Sequence, residues 1–150
     1  MDPDTNNLYD LSLYLKDTGQ ELFDGSGIAF RVEGVGAERF RAVSLDMTVQ
    51  RHLILIIKEA MHNVLKHSGA ANIRLGVALE AGVLRLTVGD DGRGMPESPS
   101  GLGQGLANMR RRAARIGGTV RWENGPQNGA EVILEWPVTE TATSTRKERP

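Results

Sequence analysis

The chain has 150 residues, a net charge of −1, 39% hydrophobic and 25% charged residues, and no cysteine. A chain of that size can close one real core, and the balance is that of a soluble globular protein. Near-neutral charge supplies no field for nucleic acid or an anionic membrane. The missing cysteines exclude disulfides, thiolate metal sites and a cysteine nucleophile, and are compatible with a reducing cytoplasm.

Residues 1–7 (MDPDTNN) read as a disordered start. Leu8, Leu11, Leu15 and Leu22 recur at helical spacing, which predicts an amphipathic helix closed by the Gly25 and Gly27 turn. Ile28 to Gly34 alternates like a strand, and Arg39 to Val43 reads as a shorter one. Ser44 or Asp46 is placed to cap a second helix running to about His67. NIRLGVALE and VLRLTVGD alternate on either side of Ala81-Gly82 and predict a hairpin. Leu106 to Ile116 reads as a helix stopped by Gly117-Gly118. TVRWE and EVILEWP then give two more strands, joined through NGPQNGA. Residues 138–150 form a polar tail outside an 8–137 domain. No apolar run approaches the ~18–20 residues of a membrane span, and no stretch of the chain reads as a signal peptide. Any membrane part of a parent protein is therefore expected outside this chain, with no membrane contact from it. The element order predicts an α/β two-layer sandwich, with a mixed, mostly antiparallel sheet and helices on one face.

In the second helix, Leu53, Ile57, Ala60, Met61 and Val64 share an apolar face, with Ile54 and Leu65 on its shoulder. Glu59, Asn63, Lys66 and His67 fall together on the other side. A solvated face is the ordinary explanation of such a stripe. Asn63, however, is a poor helix former in the middle of a good helix. The set is also chemically coherent. An amide oxygen suits Mg²⁺, a carboxylate one turn earlier can hold a water or take a proton, and a lysine can neutralise phosphate oxygens.

The stretch DDGRGMPESPSGLGQGL follows the third strand. An EF-hand loop fails, because the third and twelfth positions counted from Asp90 are Gly92 and Gly101. A Walker A loop fails for want of Gly-Lys-Ser/Thr. What remains is D-x-G-x-G (Asp90, Gly92, Gly94), followed by Gly101, Gly103, Gly105 and Leu106 opening a helix. An acid at a strand end can accept from the exocyclic amine of adenine and would repel the carbonyl of guanine. Amides at a helix start can cradle phosphate, and Pro96 and Pro99 stiffen a possible lid.

Together these motifs resemble the ATP-binding catalytic domain of sensor histidine kinases, whose nucleotide fold (the Bergerat fold) is shared with Hsp90-type chaperones, gyrase B and MutL proteins. KEAMHNVLKHSGA is similar to that family's N box, GDDGRGMP to its G1 box, GLGQGLANMRRRAARIGG to its G2 box and NGAEVILEWP to its closing strand. NVLKH with GLANMRRR is closest to the branch related to nitrate- and desaturase-type kinases. The resemblance implies ATP and Mg²⁺ as cofactors and phosphoryl transfer as the reaction. Asn63 matches the Mg²⁺ ligand, Glu59 the adjacent catalytic acid, and Lys66 a basic position near the phosphates. His67 matches an N-box position whose role is open between packing and ligand contact. Asp90 matches the adenine-binding aspartate, with Gly92 and Gly94 shaping its turn. Gly101, Gly103, Gly105 and Leu106 match the lid and the phosphate-binding helix start.

Two departures stand out. Gly129-Ala130 replaces the Gly-Thr pair of many members, which removes a hydroxyl from the adenine site. None of His52, His62 or His67 has the context of a phospho-accepting histidine. The implied partners are therefore a histidine-bearing dimerisation domain of a longer kinase and, downstream, a response regulator. An anti-sigma-factor-type serine kinase and a nucleotide-binding module without transfer activity remain as alternatives. Arg110, Arg111, Arg112 and Arg115 are expected on a solvated face, with phosphate or acceptor contact as the other possibility. Trp122 and Trp136 are expected to pack rather than to stack on a ligand.

Overall fold

The computed structural model describes residues 6–93, 103–125 and 129–138. The start of the chain to Thr5, Gly94, the lid prolines Pro96 and Pro99, Gly101 and the tail from Thr139 lie outside the described residues.

Helix α1 (Leu8–Phe23) is followed by β1 (Ala29–Glu33), a 3₁₀ turn (Glu38–Ala42) and α2 (Met47–Asn63), which runs into a π-helical segment (Val64–Ser68). The hairpin β2 (Asn72–Glu80) and β3 (Val83–Asp90) comes next, then α3 (Gly103–Arg115), β4 (Thr119–Asn124) and β5 (Ala130–Pro137). The five strands form one sheet in the order β1-β2-β3-β5-β4. Only β1 and β2 run parallel; every other pair is antiparallel. This is the mixed sheet expected from the element order.

The helix starts follow from capping. Asn7 Oδ1 accepts from the amide of Asp10 at 2.8 Å, and Asp46 Oδ1 from that of Val49 at 2.9 Å. Each side-chain oxygen satisfies one amide donor that the helix leaves open. Of the two caps considered for α2, Asp46 is the one used. The chain entering α1 is tied to the chain entering α2 by Leu8 N–Val43 O and Leu45 N–Asn6 O, at 2.9 and 2.8 Å.

Leu11 and Leu15 of α1, Leu53, Ile57 and Met61 of α2, and Leu106, Met109 and Ala113 of α3 share one buried cluster with Ile73, Leu75, Leu84, Leu86, Leu134 and Trp136 of the sheet. These strand residues alternate along their strands, so all three helices cover the same face. Each such side chain contributes roughly 1.5–3 kcal/mol by leaving water. Ile56 is fully buried as well, which widens the α2 face beyond the stripe read from the sequence.

Two local expectations change. Arg39 to Val43 lies in and beside the 3₁₀ turn rather than a strand. Its Phe40 plugs the core while Arg39 and Arg41 stay exposed, a job a single tight turn does as well as alternation does. Helix α3 begins at Gly103, three residues before Leu106.

Burial holds the imidazole of His52 below its ordinary pKa, with Arg112, Arg115 and Arg51 adding to the effect. Its Nδ1 has no hydrogen-bond partner among the described residues.

The β2–β3 turn has positive φ at both central residues, +53° at Ala81 and +77° at Gly82. That backbone suits a two-residue hairpin but strains a residue with a Cβ, and asparagine tolerates it far better than alanine. Ala81→Asn is expected to raise unfolding stability by about 0.5–1 kcal/mol, read from urea denaturation. An unchanged or lower midpoint would contradict this account of the turn.

Candidate functional site

Strand β3 runs antiparallel to both β2 and β5, so its C-terminal end meets the start of each. The π-helical end of α2 arrives at the same place. Arg93 N donates to Ser68 O at 2.9 Å, and a Cβ on Gly92 would sit 2.1 Å from that same carbonyl. The turn after β3 can therefore lie on the end of α2 only with glycine at 92. π-Helical turns are found mostly as local distortions at functional sites, and this one carries Lys66 and His67, both exposed.

The two acids that end β3 part company, as the alternation of a strand requires. Asp90 Oδ1 accepts from Gly92 N at 2.7 Å and from Ala130 N at 3.4 Å. Its other oxygen has no protein partner among the described residues and can accept from a ligand. Gly129 lies against Asp90 so closely that a Cβ would be 1.7 Å from the Asp90 carbonyl oxygen and 2.8 Å from Oδ1. The Ala130 backbone amide thus reaches the carboxylate, while its side chain offers only a methyl.

Asp91 does a different job, one that the sequence reading did not assign. Its carboxylate accepts from Ala71 N and Asn72 N at 2.9 Å each and from Asn72 Nδ2 at 2.8 Å, pinning the start of β2 to the end of β3. The signal was available. Of two consecutive residues on a strand only one can face the helices, so the second acid needed another purpose.

Glu59 and Asn63 are half-buried on α2, one turn apart. The first turn of α3 packs against them. A Cβ on Gly105 would lie 2.6 Å from Glu59 Oε2 and 3.6 Å from Asn63 Nδ2. The polar stripe on α2 thus faces the glycine-rich start of α3 rather than bulk water alone. Leu106 points its side chain into the core, at 4% exposure, so only its backbone is available to a ligand. Among the described residues no cluster of three or more His, Cys, Asp or Glu could hold a metal by itself. An oxygen-donor amide with a carboxylate one turn away does fit Mg²⁺, which takes few protein ligands and keeps several waters.

Arg110, Arg111 and Arg115 of α3 are exposed and Arg112 is half-buried, the solvated face expected from the sequence. Arg110 lies over the Trp122 ring, 4.5 Å from its centroid, and Arg111 bonds to Asn108. The two tryptophans pack, and Trp136 Nε1 donates to Ile116 O at 2.7 Å.

The Asn72 side-chain amide, together with the backbone amides of Asn72 and Ala71, holds the Asp91 carboxyl below its ordinary pKa. A carboxylate whose pKa is lowered by folding contributes stability above its unfolded value of about 4, and that stability is lost as pH falls through the folded value. Asp91→Ala is expected to lower the thermal midpoint at pH 7, with the gap to wild type closing below about pH 4. A gap that stays constant down to pH 3 would contradict the assigned hydrogen bonds.

A family model described as histidine kinase-, DNA gyrase B-, and HSP90-like ATPase matches residues 48–140. The chain is 33% identical over 122 residues to sensor histidine kinase LnrJ of Bacillus subtilis, covering 81% of this chain and 29% of that protein. It is 34% identical over 96 residues to the nitrate/nitrite sensor protein NarX of Escherichia coli, covering 63% of this chain and 16% of that protein. The chain thus spans under a third of the curated relatives it matches. The solved ATP-binding domain of PrrB from Mycobacterium tuberculosis superposes with a TM-score of 0.70 at 22% identity, over 89% of this chain and 95% of that one, a likeness of fold. The matched model takes in α2, the turn after β3, α3 and the closing strands, and on that ground the chain belongs to the family of histidine kinase-, DNA gyrase B- and HSP90-like ATPases.

Proposed function

We propose that this chain is the ATP-binding catalytic domain, residues 8–137, of a two-component sensor histidine kinase. Membership of an ATPase family implies ATP binding; the assignment of residues and partners goes further. The observation that carries it is the convergence at one end of the sheet. Asp90 offers there a carboxylate oxygen without a partner among the described residues, and Glu59 and Asn63 face the start of α3 at Gly105.

In this reading the Asp90 carboxylate accepts from the exocyclic amine of adenine, while the Gly92 and Ala130 amides hold it in place. The amides opening α3, from Gly103 to Leu106, face the phosphates, helped by the partial positive charge of a helix N-terminus. Lys66 supplies a mobile cation and His67 a neighbouring imidazole at the exposed end of the π-helical segment. Gly94 matches the turn and Gly101 the lid of the resemblance, and both lie outside the described residues. Asn63 would hold Mg²⁺ through its amide oxygen, and the ion would neutralise phosphate charge. Glu59 is placed to orient a water or take a proton from the attacking group. Catalysis of this kind is mostly positioning and charge neutralisation.

The phosphate acceptor is a histidine on a separate dimerisation domain, and a response regulator acts downstream. LnrJ and NarX carry sensor names that fit such an arrangement. Use of ATP puts the domain in the cytoplasm, whether or not its parent is anchored. No helix among the described residues is long and apolar enough to cross a membrane.

Calorimetry with Mg·ATP tests the site. Asp90→Asn is expected to weaken binding by at least about tenfold, the scale of a lost hydrogen bond to a charged group. Asn63→Ala is expected to make binding insensitive to Mg²⁺. Unchanged affinity in the first and unchanged Mg²⁺ dependence in the second would sink the assignment. Labelled ATP mixed with a supplied acceptor hairpin tests the reaction. Acid-labile phosphate on that hairpin supports histidine transfer, and acid-stable phosphate on a partner's serine would favour a serine kinase. No transfer at all would leave a binding module.

A further inference from the structure

The face of the sheet turned away from the helices carries two sets of ion pairs. One lies at the far end of β3, where Arg85 Nη2 meets Glu135 Oε2 at 2.9 Å and Glu135 also pairs with Arg121 at 3.0 Å. The other lies beside the candidate site. Arg74, Gly89 and Glu131 stand in register across β2, β3 and β5. Arg74 Nη2 donates to Glu131 Oε2 at 2.8 Å, and Arg74 Nε lies 3.7 Å from Glu33 Oε1 on β1.

This second bridge passes over the middle strand. The guanidinium lies on Gly89 so tightly that a Cβ there would be 2.5 Å from Nη2 and 3.2 Å from Cζ. Both side chains are mostly buried, at 23% and 21% exposure, so the pair is better shielded than an ordinary surface bridge. Two of the residues it touches are one position from a group that shapes the site. Gly89 precedes Asp90, and Glu131 follows Ala130, whose amide donates to Asp90 Oδ1 over a long 3.4 Å. A contact that long depends on how closely β3 and β5 are held at this end.

We infer that Arg74 and Glu131 are positioning residues for Asp90, clamping β2 to β5 across Gly89 so that the carboxylate is presented to adenine in one orientation. This rests on the adenine reading of Asp90 proposed above. It explains why an ion pair and a bare glycine coincide at one residue pair of the sheet. It also assigns base discrimination in part to residues on the face opposite the nucleotide.

The Arg85–Glu135 bridge is the internal control, because it ties β3 to β5 on the same face of the sheet but at the end away from Asp90. Calorimetry with Mg·ATP and Mg·GTP on Arg74→Leu, Glu131→Gln, the charge-swapped double variant Arg74→Glu/Glu131→Arg, and Arg85→Leu separates positioning from plain stability. Each single change at Arg74 or Glu131 is expected to weaken ATP by about three- to tenfold and to narrow the ATP-over-GTP preference. The charge swap is expected to recover part of both losses. Arg85→Leu is expected to lower the melting temperature while leaving affinity and preference unchanged. Amide hydrogen exchange in the nucleotide-free protein gives a second readout, with faster exchange at Ala130 in Arg74→Leu but not in Arg85→Leu. ATP affinity and Ala130 exchange in Arg74→Leu that match those of Arg85→Leu would overturn the inference. If Ala130 exchange responds as stated but Asp90→Asn binds ATP like wild type, the clamp stands and the adenine reading is what has failed.

Discussion

One close approach of two backbones underlies much else in the site. Gly129 approaches the main chain of Asp90 so nearly that no side chain fits at 129. That approach brings the Ala130 amide to the Asp90 carboxylate and sets the spacing of β3 and β5 where the sheet ends. It is possible because β3 runs antiparallel to β5, so the last residue of one meets the first of the other. A parallel arrangement would leave the two groups at opposite ends of the strands.

The helix layer reaches the same point by its own route. α2 is held by a wide apolar face against the sheet, which leaves its polar side turned toward α3. The start of α3 is anchored by Leu106 and Met109 in that same core, so Gly105 is pressed onto Glu59 and Asn63. Burial therefore fixes the polar groups without spending them in mutual hydrogen bonds. Among the described residues neither Glu59 nor Asn63 bonds to another side chain, which leaves their oxygens available to a ligand. A rigid frame with uncommitted donors and acceptors suits the phosphate binding proposed for this site.

Much of this was legible in the sequence, for identifiable reasons. Period-two alternation fixed β1, β2, β3 and β5 almost to the residue, and Ala81-Gly82 marked the hairpin because two consecutive left-handed residues favour so few sequences. Helical spacing found α1 and α2, and the polar stripe containing Glu59 and Asn63 stood out through the low helix propensity of Asn63. The 3₁₀ turn at Phe40 was not legible, since five residues with one buried aromatic satisfy a strand and a tight turn equally. The first residues of α3 were missed because Gly103 and Gly105 are poor helix formers, and the packing of Gly105 on Glu59 and Asn63 is a tertiary fact. The role of Asp91, the cation–π contact of Arg110 and the Arg74–Glu131 bridge are tertiary facts. They depend on strand register, which one sequence specifies only after the sheet order is known.

The two faces of β3 divide the labour at the site. Toward the helices stands Asp90, with one oxygen held by backbone amides and one open. Away from them stand Asp91, tied to the start of β2, and Gly89, beneath the Arg74 guanidinium. The account places an adenine nucleotide against the first face, between that open oxygen and the junction of α2 with α3. A crystal structure with Mg²⁺ and the non-hydrolysable analogue AMP-PNP tests this most directly. The account predicts the adenine amine within hydrogen-bond distance of Asp90 and the phosphates between Asn63 and the start of α3. A nucleotide bound elsewhere, or with its base away from Asp90, would contradict it.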